Sequence, residues 1–87
     1  MSNVKKTLID NDKTHGDYAT QCELTCNLKA VMYGSVNWTN LTPYQQESLE
    51  MIQLKISRIL TGNWKHADSW HDIAGYAMLV EDILLDA

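Results

Sequence analysis

The chain has 87 residues, of which 45% are apolar and 21% charged, and its formal net charge is −4. This acidic balance argues against direct nucleic-acid binding, which depends on clustered Lys and Arg. No apolar run approaches the roughly 20 residues of a membrane span, and the N-terminus lacks the apolar core of a signal peptide. We therefore expect a single helical domain, residues 1–87, that lies in the cytoplasm without membrane contact. Since so short a chain buries little surface alone, we also expect a homo-oligomer, most simply a dimer.

The first two segments have helical periodicity. In residues 2–12, Val4 and Leu8 lie four apart, which predicts a short N-terminal helix. Residues 17–33 carry two neighbouring apolar lines at helical spacing, which predicts a long helix. This helix is expected to end at Gly34 with a left-handed cap.

The third segment has the clearest start of a helix. Thr42 is a good N-cap, Pro43 suits the first helical position, and Gln45 stands where a capping box requires it. Gly62 marks the end of the helix. Its apolar stripe is wide and consists of Leu49, Ile52, Ile56, Ile59 and Leu60, extended by Met51 and Leu54. This width predicts a second contact surface, most simply another subunit.

The fourth segment is expected to begin near Asp68 or Ser69, each a favoured N-cap, and to run to about residue 85. Gly75 interrupts it at a cost of about 1 kcal/mol relative to Ala, so we expect a neighbouring helix to approach closely there. The predicted core line is Trp70, Ile73, Ala74, Ala77, Val80 and Leu84. The segments together predict an all-α fold, a small bundle of three long helices plus a short N-terminal helix.

Two histidines and two aspartates crowd the start of the fourth segment, at His66, Asp68, His71 and Asp72. Imidazole nitrogens and carboxylate oxygens can bind zinc or a harder divalent ion. However, the spacing matches no strong metal signature, and a helix start with first-turn acids explains the same residues. We therefore predict no metal site and keep His66, Asp68 and His71 as weak candidate ligands.

Lys55 and Arg58 are two cations in an otherwise apolar helix. Asp72 can reach them if the fourth helix runs antiparallel to the third. One interpretation is a structural ion pair between the helices. The other is a ligand-binding site for an anion or phosphate, formed by Lys55, Arg58 and Asp72 with Tyr76 in its wall, because arginine grips phosphate with two hydrogen bonds.

Three adjoining stretches carry a family resemblance: "ESLEMIQLKISRIL" (47–60), "TGNWKHA" (61–67) and "DSWHDIAGYAMLVED" (68–82). They resemble small proteins of tailed bacteriophages and prophages that are grouped as a domain family of unknown function, the DUF6378 type. "THGDY" (14–18) loosely matches a further patch of that family. The resemblance implies a phage setting and an all-helical fold, and it supplies no activity.

The chain is also distantly similar to the all-α nucleotide pyrophosphohydrolases of the MazG kind. Those enzymes hold magnesium at a triphosphate with acids on two helices. The similarity implies Glu47, Glu50 and Asp72 as catalytic residues around magnesium, with Lys55 and Arg58 on the phosphates.

Two functions remain open at this stage. The one we favour is a phage-encoded, non-enzymatic accessory protein that needs no cofactor. As a helical binding module, it would act on a host protein complex, for example one of a host defence system, or sequester a nucleotide-type ligand. The alternative is a MazG-like, magnesium-dependent nucleoside triphosphate pyrophosphohydrolase.

Overall fold

A computed structural model describes residues 17–87, which form three long α-helices and one short 3-10 helix. Their bounds are Tyr18–Tyr33 (α1), Trp38–Asn40 (3-10 helix), Pro43–Thr61 (α2) and Ala67–Asp86 (α3). The described residues contain no strand, so the all-α prediction is confirmed. The short helix predicted over residues 2–12 lies outside the described residues. None of the described helices is long and apolar enough to cross a membrane.

α1 begins with a side-chain cap from Asp17. Its Oδ2 accepts hydrogen bonds from the Thr20 backbone N–H at 3.0 Å and from the Thr20 hydroxyl at 2.8 Å. The helix ends at Gly34, as predicted. However, Gly34 has φ −84° and ψ 0°, so the prediction of a left-handed cap is wrong. The Gly34 N–H donates to the Ala30 carbonyl at 3.2 Å, which closes the helix in right-handed backbone geometry.

The predicted bounds of α2 are confirmed by its caps. Thr42 is the N-cap, Pro43 begins the helix, and Gln45 reaches back across the first turn. Gln45 Oε1 accepts hydrogen bonds from the Thr42 backbone N–H at 2.9 Å and from the Thr42 hydroxyl at 3.1 Å. Gly62 follows the last helical residue and ends the helix.

α3 begins slightly earlier than predicted. His66 has extended backbone and is the N-cap residue, so the prediction of Asp68 or Ser69 as N-cap is wrong. Asp68 instead lies exposed in the first turn, where the helix dipole favours an anion. Ser69 is buried, and its backbone N–H donates to the His66 carbonyl at 3.1 Å.

α2 is the central helix of the described chain. It packs against both α1 and α3, which make few contacts with each other. Helical spacing places Glu50, Gln53 and Ser57 on the side towards α1, and Lys55 with Ile59 on the side towards α3. A further side of α2 is covered by neither helix.

The interior of the described chain is unusually polar. Among the described residues, Ile59 is the one buried apolar side chain, at 8% exposed, whereas four polar ones are buried: Gln21, Gln53, Ser57 and Ser69. Gln53 Nε2 donates to Ser57 Oγ at 2.7 Å. However, Gln53 Oε1 and Thr25 Oγ1 are buried without a hydrogen-bond partner among residues 17–87. Each such atom costs about 1–3 kcal/mol, so this interior adds little net stability by itself.

The predicted core lines are largely exposed. On α3, Trp70 is 56% exposed and Leu84 50%, and on α2 Leu60 is 66% exposed. Ile73 and Val80 are half-buried. The apolar lines therefore exist as predicted, but the described chain does not bury them, and the core prediction is wrong for one chain alone.

Gly75 lies in the middle of α3 with open space beside it. No described atom would come within 4 Å of a Cβ added there. The expected close approach of a neighbouring helix is therefore wrong within the described chain. The glycine leaves a flat, side-chain-free position on the surface of α3.

Replacing Gly75 with Ala is expected to raise the free energy of unfolding by about 1 kcal/mol, because alanine favours a helix interior and its Cβ meets open space. For a domain of this size the melting temperature should rise by about 4–8 °C. Thermal and urea denaturation would measure both quantities. The matched control is Ala74→Gly at the exposed neighbouring position, which should lower stability by a similar amount. Lower stability in Gly75→Ala would show that another chain or segment does approach this position.

Candidate functional site

An ion pair between α2 and α3 lies at the centre of the predicted ligand site. Lys55 Nζ lies 3.0 Å from Asp72 Oδ2, which is the pairing predicted for antiparallel helices. The Lys55 side chain is only 14% exposed, whereas that of Asp72 is 41% exposed. The cation is thus enclosed, and the carboxylate reaches the surface.

The pKa of Asp72 is lowered below the ordinary aspartate value of 3.8. The main cause is the hydrogen bond from Lys55, which favours the charged carboxylate. The charges of Lys55, His71 and Arg58 act in the same direction, while partial burial acts against them. Asp72 therefore stays ionised beside both cations.

Arg58 differs from Lys55 in its bonding. It lies three residues further along α2 and is half-buried. Its Nε is buried and has no hydrogen-bond partner among residues 17–87. A buried guanidinium N–H without an acceptor costs free energy. The structure thus pairs one predicted cation with a carboxylate and leaves a donor of the other unused.

Asp72 and Tyr76 also line an open groove of about 450 Å³ on α3, which we call the α3 groove. Its lining is mostly apolar but carries two carboxylates and an imidazole. The lining residues are His71, Asp72, Gly75, Tyr76, Met78, Leu79 and Asp82. Apolar walls with a few polar groups are typical of a small-ligand site. Asp72 links this groove to Lys55 and Arg58.

The acids implied by the MazG similarity lie on different sides of α2. Glu50 faces α1, where it accepts a hydrogen bond from the Tyr33 hydroxyl and lies 3.8 Å from Lys29 Nζ. Glu47 is exposed one turn earlier. Asp72 instead meets α2 on the side that faces α3. The three acids are therefore not brought together as one magnesium site in the described residues.

The contact between Tyr33 and Glu50 was not predicted from the sequence. It raises the pKa of Tyr33, mainly through the hydrogen bond to Glu50, with burial and the charges of Glu50 and Glu47 adding to the effect. Tyr33 also packs on Trp38, with ring centroids 5.0 Å apart. Lys29 and Tyr33 lie four apart on α1, and this polar pair was the available signal for an acidic partner.

The weak metal candidates do not form a cluster. His66 is the N-cap residue of α3, Asp68 is exposed in the first turn, and His71 lies on the α3 groove. Within residues 17–87, no group of three or more His, Cys, Asp or Glu side chains is arranged to hold a metal ion.

A second surface, which we call the apolar face, spans all three helices. A groove of about 610 Å³ between α1 and α2 adjoins one of about 280 Å³ between α2 and α3, and Leu41, Leu49 and Ile52 line both. Eleven described residues line the first groove and seven the second, with three shared, which makes fifteen. None of the fifteen is Asp, Glu, Lys, Arg or His.

These features define a small all-α protein with an ion-paired, ligand-sized groove on one surface and an apolar face on another. The family model described as "Domain of unknown function (DUF6378)" matches residues 3–84, and the chain belongs to this family. The family predicted from the sequence is thus confirmed, and its description assigns no activity. Comparisons with curated proteins and with solved structures give no match.

The ion pair predicts a pH dependence of stability. Because the pKa of Asp72 is lower in the folded than in the unfolded chain, its contribution is present above 3.8 and is lost as the pH falls through the folded value. The free energy of unfolding should therefore fall below about pH 4. In Asp72→Asn, the decrease of the free energy of unfolding at low pH should be smaller than in the wild type. Urea denaturation at several pH values would measure this difference.

The control for this measurement is Glu81→Gln, an exposed carboxylate on the same helix. In this variant the free energy of unfolding should change with pH as steeply as in the wild type. Asp17, whose pKa is also lowered, is present in all three proteins and cancels from the comparison. Identical slopes for wild type and Asp72→Asn would show that the Lys55–Asp72 pair does not persist in solution.

Proposed function

We propose that this chain is a phage-encoded accessory protein that acts without catalysis in the host cytoplasm, as a helical module that sequesters a nucleotide-type ligand. Arg58 is the observation that carries the proposal. Its buried Nε has no acceptor among the described residues, whereas the enclosed Lys55 is already paired with Asp72. A phosphate oxygen is the acceptor that best fits a guanidinium group.

The α3 groove supplies the chemistry for the rest of a nucleotide. Its apolar lining, which includes Tyr76, Met78 and Leu79, suits the flat face of a base. The carboxylates of Asp72 and Asp82 can accept hydrogen bonds from base amino groups or ribose hydroxyls. Asp72 lies beside Arg58, so a nucleoside in the groove would place its phosphates on the side of the cations.

A nucleotide fits these residues better than a host protein complex does. The guanidinium group of Arg58 suits a single phosphate group. A protein partner would instead need a broad surface of paired contacts.

Arg58→Gln is expected to weaken binding of nucleoside triphosphates by about 10- to 100-fold, because it removes a charge-assisted hydrogen bond. Isothermal titration calorimetry without magnesium would measure the affinity. The unfolding temperature without ligand should change little, since the lost Nε has no hydrogen-bond partner among the described residues. Lys65→Gln is the control, because it removes the same charge from an exposed position in the α2–α3 connection. Equal affinities in the two variants would contradict the role of Arg58.

Magnesium-dependent pyrophosphate release tests the enzymatic alternative. We expect no release above a protein-free blank, while nucleoside triphosphates still raise the melting temperature of the wild-type protein. The variants Asp72→Asn and Glu50→Gln would be assayed in parallel. Release that these substitutions abolish would establish the MazG-like alternative and overturn the non-catalytic proposal. A melting temperature unchanged by every nucleotide would overturn sequestration itself.

A further inference from the structure

We infer that the apolar face is where two copies of this chain meet, as a symmetric dimer with the two α2 helices near its centre. This inference concerns a surface that the proposed nucleotide site does not use, and it stands without that proposal. The burial, charge and size of the face support it.

The apolar face holds side chains that a folded chain normally buries. Leu49 is 41% exposed, Ile56 38% and Val31 75%, whereas the interior of the described chain is mainly polar. A domain of this size needs most of its apolar surface to be buried. Packing against a second copy would bury these side chains, as in obligate dimers whose interfaces resemble a domain core cut in half.

The charge pattern favours a second copy as the occupant. Two copies each carry a net charge of −4 and therefore repel one another in general. In a symmetric interface a residue near the two-fold axis meets its own copy, so a charge there would meet like charge, and a charge elsewhere would need an opposite partner within the same patch. The fifteen residues of the face include no ionisable acid, base or histidine, although 21% of the chain is charged. The face thus avoids the repulsion that self-association would otherwise meet.

The size of the face also fits a dimer. α2 has 19 residues and is therefore about 28 Å long. Three helices with axes about 10 Å apart give a width of roughly 20 Å. Two such faces would together bury about 1,100 Å², which exceeds the roughly 1,000 Å² expected of a biological interface.

Residues 1–16 are the competing occupant within the chain. Their sequence contains four large apolar residues, Met1, Val4, Leu8 and Ile9. Of the fourteen large apolar side chains that the described residues expose, three line the apolar face: Val31, Leu49 and Ile56. Residues 1–16 also carry five charged side chains, for which the uncharged face offers no partner, so a second copy matches the face better.

The mass of the full-length protein in solution tests the dimer directly. Sedimentation equilibrium of the wild type should give twice the chain mass of 9.9 kDa. Val31→Lys should weaken association by about 100-fold, because it buries an unpaired charge in an otherwise uncharged interface. Val31 is 75% exposed in the single chain, so its replacement leaves the fold of each protomer intact, which circular dichroism would verify.

Leu85→Lys is the matched control. Leu85 is 76% exposed, receives the same new charge, and does not line the apolar face. This variant should keep the wild-type mass. The wild-type melting temperature should also rise with protein concentration, and that rise should be lost in Val31→Lys. A monomeric wild type, or equal association of the two lysine variants, would overturn the inference.

Discussion

The position of α2 between α1 and α3 is the constraint on which the rest of this structure depends. α2 packs against both neighbours, while those neighbours make few contacts with each other. Its side towards α1 is polar, with Gln53 and Ser57, and its side towards α3 carries Lys55 beside the buried Ile59. The apolar residues left over, such as Leu49 and Ile56, lie on the side that neither helix covers. One helix thus sets both the ion pair and the exposed apolar face.

Local chemistry explains why the helix bounds could be predicted. The start of α2 depends on the neighbouring residues Thr42, Pro43 and Gln45, so it can be derived without knowing the rest of the fold. The predicted start of α3 was wrong, because aspartate and serine, here Asp68 and Ser69, are favoured at N-cap positions only statistically. His66 takes that position here, since the helix extends to Ala67. The prediction of a left-handed cap at Gly34 was wrong for a similar reason, because glycine permits this conformation but does not require it.

Burial was harder to predict than helix bounds. The line through Trp70, Ala77 and Leu84 has helical spacing, and such spacing shows that a face is apolar. It does not show whether the same chain or another one covers that face. The structure exposes Trp70 and Leu84 and buries Ser69 instead. Periodicity therefore indicates which residues favour burial, whereas the structure shows which of them the described residues bury.

Only the ion pair of the candidate site could be predicted, because charge and spacing determine that pair and not the rest of the site. Two cations in an apolar helix require an acidic partner, and an antiparallel α3 can offer only an acid near its start, so the Lys55–Asp72 pair followed from the sequence. The difference between Lys55 and Arg58 did not follow. Both are cations three residues apart, and only the packed structure shows that Lys55 takes the carboxylate while the Arg58 Nε has no acceptor.

The α3 groove and the apolar face lie on opposite sides of α3. At about 100° per residue, His71 and Val80 point in directions about 180° apart, and Gly75 and Ala77 about 160° apart. His71 and Gly75 line the α3 groove, whereas Val80 and Ala77 line the apolar face. A dimer formed through the apolar face would therefore leave both grooves open to solvent. Each copy would then bind its own ligand, and association would hold α2 and α3 in the register that places Lys55 against Asp72.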